Sequence, residues 1–514
     1  MLRIFGLLLL LSASLFSRAQ SRLDLPPHQL HADSLAFDLQ VLCSPKMAGR
    51  GTGQAGFAYA ARYVSERLAA WGWRSFGNQP DGPDVERFYS QVPYKREHLL
   101  GAELKLRNHK LRYRKDYFLV TNVASGSIKA DSVVFLGYGR ENAKGAIVFD
   151  TNGVRGKWVV ALAGSLTPTG EVQASYWREA YRQLANAGVA GMLLCEPQYD
   201  KESVSMLERL EEERISLRLT TESPAAGRGM ATVVLSPKAF DKVLRQMRLH
   251  PQKIALEAKK AGFANKKLYL PLELLVERKV EDFEAPNVVA YLPGESLSNE
   301  WLIVSAHLDH LGTHHGKVFQ GADDNGSGSA ALLSLARQLS LWESDGMKPK
   351  RNIVLVWFSG EENGLLGSRY FADHLPMPTE EVIANVNVDM IGRYDDKHTD
   401  MTSKYIYVIG ADRISQDLHD WHEAVNNQCC RLELDYTFNA LDDPNRYYFR
   451  SDHYNFAKKG IPSMFYFSGV HADYHKEGDT IDKINFNRMA YITELILYNC
   501  WNLANNSERP KPKE

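Results

Sequence analysis

From about residue 287 onwards, short apolar runs alternate with segments of helical character, and this alternation is what most constrains the fold. The runs are rich in β-branched and aromatic residues and cover residues 302–306, 353–358, 383–388, 405–409 and 462–467. Between the first two, residues 329–341 place Leu332, Leu335 and Leu339 on one side of a helix. Strands that alternate with helices predict an α/β fold with a mixed, mostly parallel central sheet and helices on both faces.

Polar side chains that suit metal binding stand beside these strands. They occur in five short motifs, which contain His307 and Asp309, Asp323 and Asp324, Glu361 and Glu362, Asp389, and His475. Four motifs follow the carboxyl end of a strand, and the Asp323 motif lies in the loop beyond the first strand. Open α/β sheets bind ligands at that edge, so we expect these side chains to converge there.

The residue types indicate zinc. Histidine and carboxylate ligands without thiolates suit zinc, with manganese or cobalt as substitutes. The number of ligands fits two ions that share one bridging carboxylate, an arrangement that clamps the attacking and departing oxygens in hydrolysis. An additional acid beside a ligand can carry a proton, and the adjacent Glu361 and Glu362 fit these two roles. Any one motif is also typical of a turn or a helix start, but their shared order along one edge favours a site.

Residues 287–503 resemble the co-catalytic zinc exopeptidases related to aminopeptidase Y and the secreted bacterial leucyl aminopeptidases. The order of the five motifs carries this resemblance, from His-Leu-Asp through Gly-Ala-Asp-Asp-Asn-Gly-Ser-Gly to Tyr-His-Lys-Glu-Gly-Asp-Thr. Residues 30–110 resemble the opening helices of that family. The middle of the chain resembles the protease-associated domain often inserted there, through residues 137–139 and 156–160. The resemblance therefore implies a zinc exopeptidase fold with a smaller, β-rich inserted domain.

The resemblance also implies a ligand set. One zinc ion would be held by His307, Asp323 and Asp389, and the other by Asp323, Glu362 and His475, with Asp323 bridging. The peptide bond between Asp323 and Asp324 would be cis. The neighbouring His310, His314 and His315 are not expected to be ligands.

Three further residues would act on the substrate or on a ligand. Glu361 would be the general base that deprotonates a metal-bridging water and then protonates the leaving amine. Asp309 would accept a hydrogen bond from His307 and fix its tautomer. Tyr448, with Tyr447 beside it, would hydrogen-bond the reacting carbonyl.

The chain is expected to contain several parts, because 514 residues exceed what one hydrophobic core usually organises. They are a signal peptide (1–19), the N-terminal part of the peptidase domain (20–110), an inserted protease-associated-like domain (111–282), the zinc peptidase core (283–504) and a polar, disordered tail (505–514).

The first residues predict export to the periplasm or the medium. Arg3 precedes an apolar run at residues 4–11, and Ser17-Arg18-Ala19 supplies a cleavage site. The run is too short to span a bilayer, so no stable membrane insertion is expected after cleavage. Lys plus Arg (61) and Asp plus Glu (62) nearly cancel, which gives no support to a nucleic-acid partner. Of the five cysteines, most are expected to be buried thiols, and the adjacent Cys429 and Cys430 could close only as a vicinal ring.

The predicted function is hydrolysis of the N-terminal bond of peptide substrates with two zinc ions per chain. A dipeptidase or a carboxypeptidase remains open on the same zinc pair, and a carboxypeptidase would need a basic residue such as Arg393 or Arg450 for the substrate carboxylate. A glutaminyl cyclase with a single zinc is disfavoured by the complete two-metal set and the large insertion. A non-catalytic binding protein is disfavoured because no ligand is missing. The substrate side chain and the oligomeric state stay open.

Overall fold

The computed structural model describes residues 23–76, 85–107, 109–119, 123–141, 147–167, 171–173, 177–195, 213–218, 230–260, 262–398, 400 and 402–513. The predicted signal peptide lies outside this part of the chain. The fold divides into two compact units, one formed by Met1–Gln91 with Pro286–Glu514 and the other by Val92–Ala285. The expected boundary near residue 110 therefore falls within the second unit.

Twenty strands are described, and they are numbered in chain order. They are β1 Arg74–Ser75, β2 Tyr89–Leu106, β3 His109–Leu111, β4 Tyr117–Leu119, β5 Gly126–Glu141, β6 Ile147–Val148, β7 Trp158–Leu166, β8 Val172–Gln173, β9 Gly191–Cys195, β10 Glu213–Leu217, β11 Ala231–Leu235, β12 Lys266–Leu292, β13 Leu297–His307, β14 Gly312–His314, β15 Lys317–Phe319, β16 Arg351–Phe358, β17 Val382–Val388, β18 Tyr405–Ile409, β19 Glu433–Asp435 and β20 Ser463–Phe467.

The α-helices of the described residues are numbered in the same way. They are α1 Ala32–Leu42, α2 Ala55–Ala70, α3 Trp177–Asn186, α4 Pro237–Gln246, α5 Pro251–Ala258, α6 Gly328–Ser344, α7 Leu366–Asp373, α8 Ala411–Ile414, α9 Gln416–Gln428, α10 His453–Ala457 and α11 Phe486–Asn505.

The first unit is built on a mixed sheet whose strand order is β1, the end of β12, β16, β13, β17, β20, β18 and β19. The four central strands β16, β13, β17 and β20 run parallel to one another. Every residue of β16, β17 and β20 is buried, as expected for strands covered on both faces. The predicted mixed, mostly parallel sheet is confirmed.

Helices cover both faces of this sheet because side chains alternate along each strand. Val354, Val356 and Phe358 of β16 pack in one core cluster with residues of α7 and α10. Trp357 points to the other face, where its indole Nε1 donates a hydrogen bond to the carbonyl of Ser329 in α6. This arrangement leaves the carboxyl edge of the parallel strands for loops.

The second unit has its own sheet and core. Its strands β5, β7, β9 and β11 run parallel, with β12 and β4 antiparallel at the two edges. One buried cluster packs on α4 and α5, and a separate one includes Leu184 of α3. Its likeness to a protease-associated domain stays a prediction.

The C-terminal tail differs from the expected disorder. Arg509 donates to the carbonyl of Glu380 at 2.9 Å, and the backbone N–H of Lys511 donates to Asp417 Oδ2 at 3.0 Å. These bonds join the tail to the rest of the first unit, so the prediction of disorder is wrong through Lys513.

The cysteines are arranged as follows. Cys43, Cys195 and Cys500 are buried thiols, whereas Cys429 and Cys430 form a disulfide between neighbouring residues. Within the described residues, no helix has the length and apolar character needed to cross a membrane.

Candidate metal centre

Two of the predicted ligands meet at the ends of adjacent parallel strands. His307 is the last residue of β13, and Asp389 follows β17, which pairs in parallel with β13. His307 Nε2 lies 3.2 Å from Asp389 Oδ1, and Glu361 Oε2, in the loop after β16, lies 3.9 Å from the same nitrogen. The sheet edge therefore gathers a histidine and two carboxylates, as its topology predicts.

The tautomer of His307 is set by a backbone group. Its Nδ1 lies 3.0 Å from the carbonyl oxygen of Asp309, so Nδ1–H donates there and leaves the Nε2 lone pair for a metal. The carboxylate of Asp309 is 3.8 Å from Nδ1, too far for the expected hydrogen bond. That carboxylate instead accepts from Thr52 Oγ1 at 2.9 Å and from the N–H of Glu361 at 3.2 Å. Burial raises the pKa of Asp309 to about 6.

The central carboxylate is Asp324, one residue later than expected. Its Oδ1 lies 3.4 Å from His307 Nε2, and its Oδ2 lies 3.2 Å from His475 Nε2, so one side chain spans the two histidines. The cis peptide bond likewise joins Asp324 to Asn325. Both expectations were wrong by one position.

Asp323 is turned away by contacts that fix its loop. Asp323 Oδ1 accepts from the N–H of Gly392 at 2.6 Å, and its own N–H donates to the carboxylate of Asp479 at 3.1 Å. The N–H of Asp324 donates to Asp479 as well, at 3.0 Å. Asp479, the last acid of the fifth motif, thus holds the backbone in the position that directs Asp324 inwards.

Glu362 stands between two histidines in the second half of the centre. Its Oε2 lies 3.0 Å from His475 Nε2, and its Oε1 lies 2.7 Å from His310 Nδ1. Burial opposes ionisation of Glu362, but the nearby His475 and His310 outweigh it and hold the pKa well below its usual range. His310 was not expected to face the site. It lies in a loop, and the spacing of residues in the sequence does not determine where a loop side chain points.

The donor set fits divalent metal ions. Two groups of side chains bring potential ligand atoms within 4.8 Å of one another: His307 with Glu361 and Asp389, and His310 with Asp324 and Glu362. Among the described residues, no lysine or arginine pairs with these four carboxylates. Several buried carboxylates gathered in one place are costly unless a cation joins them.

The pKa shifts within the cluster reflect how closely its buried carboxylates and histidines are packed. Burial disfavours the charged form of His307, yet Asp389 and Glu361 outweigh it and raise its pKa well above the usual range. Burial raises the pKa of Glu361 well above its usual range, with His307 acting in the opposite direction. The pKa of His475 is raised to about 11, since Glu362 and Asp324 outweigh burial. Metal binding would displace these protons.

A pocket with aromatic walls opens beside the cluster. It is lined by Asp324, Glu361, Asp389, Met390, Tyr447, Arg450, Phe465, Phe467, Val470 and Tyr474. An apolar pocket with a few convergent polar groups is the usual form of a small-molecule site.

Tyr448, which was expected to face the substrate, points elsewhere. Its ring lies 3.9 Å from the guanidinium carbon of Arg413 and packs edge-on against His453. Tyr447 to Phe449 form a single 3-10 turn, in which successive side chains diverge by about 120°, so Tyr447 faces the pocket and Tyr448 does not. The Tyr448 assignment is therefore corrected.

Tyr474 is a pocket residue that spacing did not single out. Its ring stacks on His475 with centroids 3.9 Å apart, and burial raises the pKa of its hydroxyl. Tyr474 directly precedes His475 in the fifth motif, and this neighbouring position is the sequence feature that could have indicated it.

Comparison with known proteins finds a family whose pattern matches the segment that carries this site. Residues 287–500 match the family described as Peptidase family M28. A leucine aminopeptidase 1 of Sclerotinia sclerotiorum is 29% identical over 226 residues, which cover 42% of this chain and 56% of that protein. The chain spans 56% to 60% of the length of the first three curated relatives that it matches.

Two solved structures are similar in fold. An aminopeptidase from Aneurinibacillus sp. strain AM-1 has a TM-score of 0.55 at 19% identity, covering 94% of this chain and 95% of that one. A zinc aminopeptidase from Bacillus subtilis has a TM-score of 0.55 at 17% identity, covering 94% and 97%. The segment that carries the sheet-edge cluster, residues 287–500, is therefore similar to Peptidase family M28, and the chain is similar in fold to these two aminopeptidase structures.

Proposed function

We propose that this chain is an exported aminopeptidase that uses two zinc ions. The observation that carries the proposal is the carboxylate of Asp324, whose two oxygens lie 3.4 Å from His307 Nε2 and 3.2 Å from His475 Nε2. A carboxylate that spans two histidines, each beside a further acid, has the composition of a paired-metal centre. The similar curated and solved proteins are aminopeptidases by name, which agrees with this reading.

Each zinc ion would have three protein ligands. His307, Asp324 and Asp389 would hold one ion, and Asp324, Glu362 and His475 would hold the other. His310 would position Glu362 through the 2.7 Å contact between its Nδ1 and Oε1. Bound zinc would supply Lewis acidity, which lowers the pKa of water and provides a nucleophile at neutral pH.

Glu361 is suited to move the proton. Its carboxyl group lies beside His307 and lines the pocket, and its N–H is held by the Asp309 carboxylate at 3.2 Å. A carboxylate at this position can take a proton from the attacking water and pass it to the leaving amine. Asp309 acts through Glu361 and Thr52, so it is a positioning residue.

The pocket would also bind the substrate, partly through groups that have a second role. Asp389 and Glu361 supply negative charge for a free α-amine, and Met390, Phe465 and Phe467 supply an apolar wall for the first side chain. Tyr447 and Tyr474 line the pocket, and their hydroxyl groups are candidates to donate a hydrogen bond to the substrate carbonyl. This excess of acids over bases favours an aminopeptidase over a carboxypeptidase.

The direct test compares aminoacyl-p-nitroanilides with their N-acetyl forms. Acetylation removes the charge and leaves the acids of the pocket without their partner, and a site built around such a contact rejects the analogue by up to about 10⁴-fold. We expect cleavage of the free-amine substrate alone. Faster cleavage of N-blocked peptides with a free carboxylate would contradict the proposal and favour a carboxypeptidase.

Export rests on the sequence of the first twenty residues. The basic Arg3, the apolar run at residues 4–11 and the small residues before Gln20 form the pattern of a cleaved signal. N-terminal sequencing of protein recovered outside the cytoplasm should begin near Gln20. For the inserted unit we keep the protease-associated relationship as a proposal without assigning it a role.

A further inference from the structure

One basic side chain lies in a pocket whose other charged residues are acids. Arg450 lines the same pocket as Asp324, Glu361 and Asp389, and its side chain is exposed at the surface. A positive charge here is adjacent to the groups that would bind the amine of a substrate. Whether that charge is available to a ligand depends on the protein groups that contact the Arg450 guanidinium.

Aromatic residues position Arg450 without neutralising it. Its guanidinium carbon lies 4.8 Å from the centroid of the Tyr447 ring, and its Nη2 donates to the Tyr474 hydroxyl at a long 3.4 Å. Within the described residues, no carboxylate forms an ion pair with it. Guanidinium groups carry five N–H donors in a planar fork that matches a carboxylate, so most of this capacity faces no acceptor of the protein.

Arg393, the other candidate for carboxylate binding, is already paired. Its Nη1 lies 2.9 Å from Asp473 Oδ2 and 3.9 Å from Asp479 Oδ1, and its side chain is 15% exposed. Its charge is compensated within the protein, and it does not line the pocket. The contrast between the two arginines singles out Arg450.

We propose that Arg450 binds a carboxylate of the substrate, so that the preferred substrates carry a free amine and a carboxylate within reach of this guanidinium. The carboxylate has two possible sources, the C-terminus of a dipeptide and the side chain of an acidic first residue. Both present the same planar anion. The inference rests on the proposed aminopeptidase function, because it uses the acids of the pocket to bind the amine.

The stacking on Tyr447 matters for selectivity. A guanidinium held over an aromatic ring loses less freedom on binding than a mobile one, so more of its interaction energy appears as affinity. A substrate with an amine near Asp389 and a carboxylate near Arg450 would satisfy both charges. A substrate with an uncharged amide in place of the carboxylate would pair with Asp389 but would leave the charge of Arg450 unpaired.

The experiment uses four ligands in two matched pairs. Leu-Gly is compared with Leu-Gly-amide for the C-terminal carboxylate, and Glu-Gly-amide with Gln-Gly-amide for the side-chain carboxylate. We expect one pair to show about a tenfold preference for the carboxylate, in kcat/KM and in the dissociation constant measured by calorimetry with zinc-loaded Glu361→Gln protein. The pair that shows the preference identifies the source.

Variants test whether Arg450 is responsible. Arg450→Gln should reduce the preference ratio to about one, and Arg450→Lys, which keeps the charge but loses the fork, should leave an intermediate ratio. Arg446→Gln is the matched control, because Arg446 is an exposed arginine of the same loop that packs over Phe449 and does not line the pocket. It should keep the wild-type ratio.

The outcomes separate the two proposals. A ratio near one for both pairs in the wild type, or a high ratio that persists in Arg450→Gln, would overturn the role of Arg450. If the wild type cleaved no free-amine substrate, the aminopeptidase proposal would fail, while the ratios of dissociation constants would still decide the role of Arg450.

Discussion

Adjacent side chains of the same type have different roles in this site, and they make matched experiments possible. Glu361 lines the pocket, and its backbone N–H donates a hydrogen bond to Asp309. The carboxylate of Glu362 instead contacts His310 and His475. In the proposed function, the first would move a proton and the second would hold a metal. Their separation follows from the tight turn after β16, which directs consecutive side chains differently.

Replacing Glu361 with glutamine should keep zinc and remove most turnover. The amide preserves the shape of the side chain but cannot accept a proton, and general acid–base steps contribute roughly 10²–10⁴-fold. Turnover of leucine-p-nitroanilide and zinc content are measured on the same sample. Glu362→Gln is the control and should lose zinc, and near-normal turnover in zinc-replete Glu361→Gln would refute the role of Glu361.

The same amide substitution at Asp323 and Asp324 should give opposite results. Asp324→Asn weakens the carboxylate that spans His307 and His475, so both zinc ions should be lost together. Asp323→Asn retains an oxygen that can accept from the N–H of Gly392, so zinc content should stay close to that of the wild type. Elemental analysis after dialysis measures both. Loss of zinc in Asp323→Asn alone would restore Asp323 as the bridging ligand.

The sequence identified the chemistry of these motifs but not which member of each pair faces the site. The two members of each pair are the same type of residue and differ only in the direction that the backbone gives the side chain. The pairs are Asp323 with Asp324 and Tyr447 with Tyr448. Asp324 has φ −99° and ψ 98°, and its loop is held by the distant Asp479. Such directions depend on tertiary contacts, which spacing does not contain. His310 was missed for the same reason.

At the scale of elements, the strands were predictable because they are buried on both faces. Residues 353–358, 383–388 and 405–409 were expected as strands, and the structure has β16, β17 and β18 there within two residues. Continuous apolar runs bounded by turn residues carry this information locally. The start of the second unit was not predictable, because β2 runs through the boundary as one extended strand.

Buried histidines should make the first unit sensitive to acid. His422 of α9 and His453 of α10 are fully buried, and burial lowers the pKa of each to about 3. Their unfolded-state pKa is about 6.5. Because the folded pKa is depressed, the neutral form stabilises the fold above pH 6.5, and this contribution is lost as pH falls towards 3.

Replacing His422 with leucine should therefore flatten the pH dependence of stability. Between pH 7 and pH 5, protonation of His422 in the unfolded state should lower the free energy of unfolding by about 2 kcal/mol. Each pH unit below 6.5 lowers it by about 1.4 kcal/mol. Urea unfolding of the wild type and His422→Leu at both pH values measures it. The change with pH is compared, since the substitution also alters packing against Tyr466. Equal changes in the two proteins would show that His422 does not titrate on unfolding.

At the scale of the molecule, the proposed metal centre links distant parts of the first unit. His307, Asp324, Glu362, Asp389 and His475 come from segments separated by up to 168 residues of sequence, and the loops around them also contact Thr52 near the start of the chain. The buried carboxylates repel one another unless a cation joins them. Zinc should therefore stabilise the folded chain as well as activate water.

We expect about two zinc ions per chain and a melting temperature that depends on them, because a ligand that binds only the folded state stabilises it by RT ln(1 + [L]/Kd). At one hundred times Kd this is about 2.7 kcal/mol, or a rise of a few degrees in a large chain. Elemental analysis gives the stoichiometry, and scanning calorimetry before and after chelation and zinc return gives the shift. Asp324→Asn is the control and should melt at the same temperature with or without chelator. One ion per chain after reconstitution would contradict the paired centre, and an unchanged melting temperature in the wild type would show that the acids are compensated without metal.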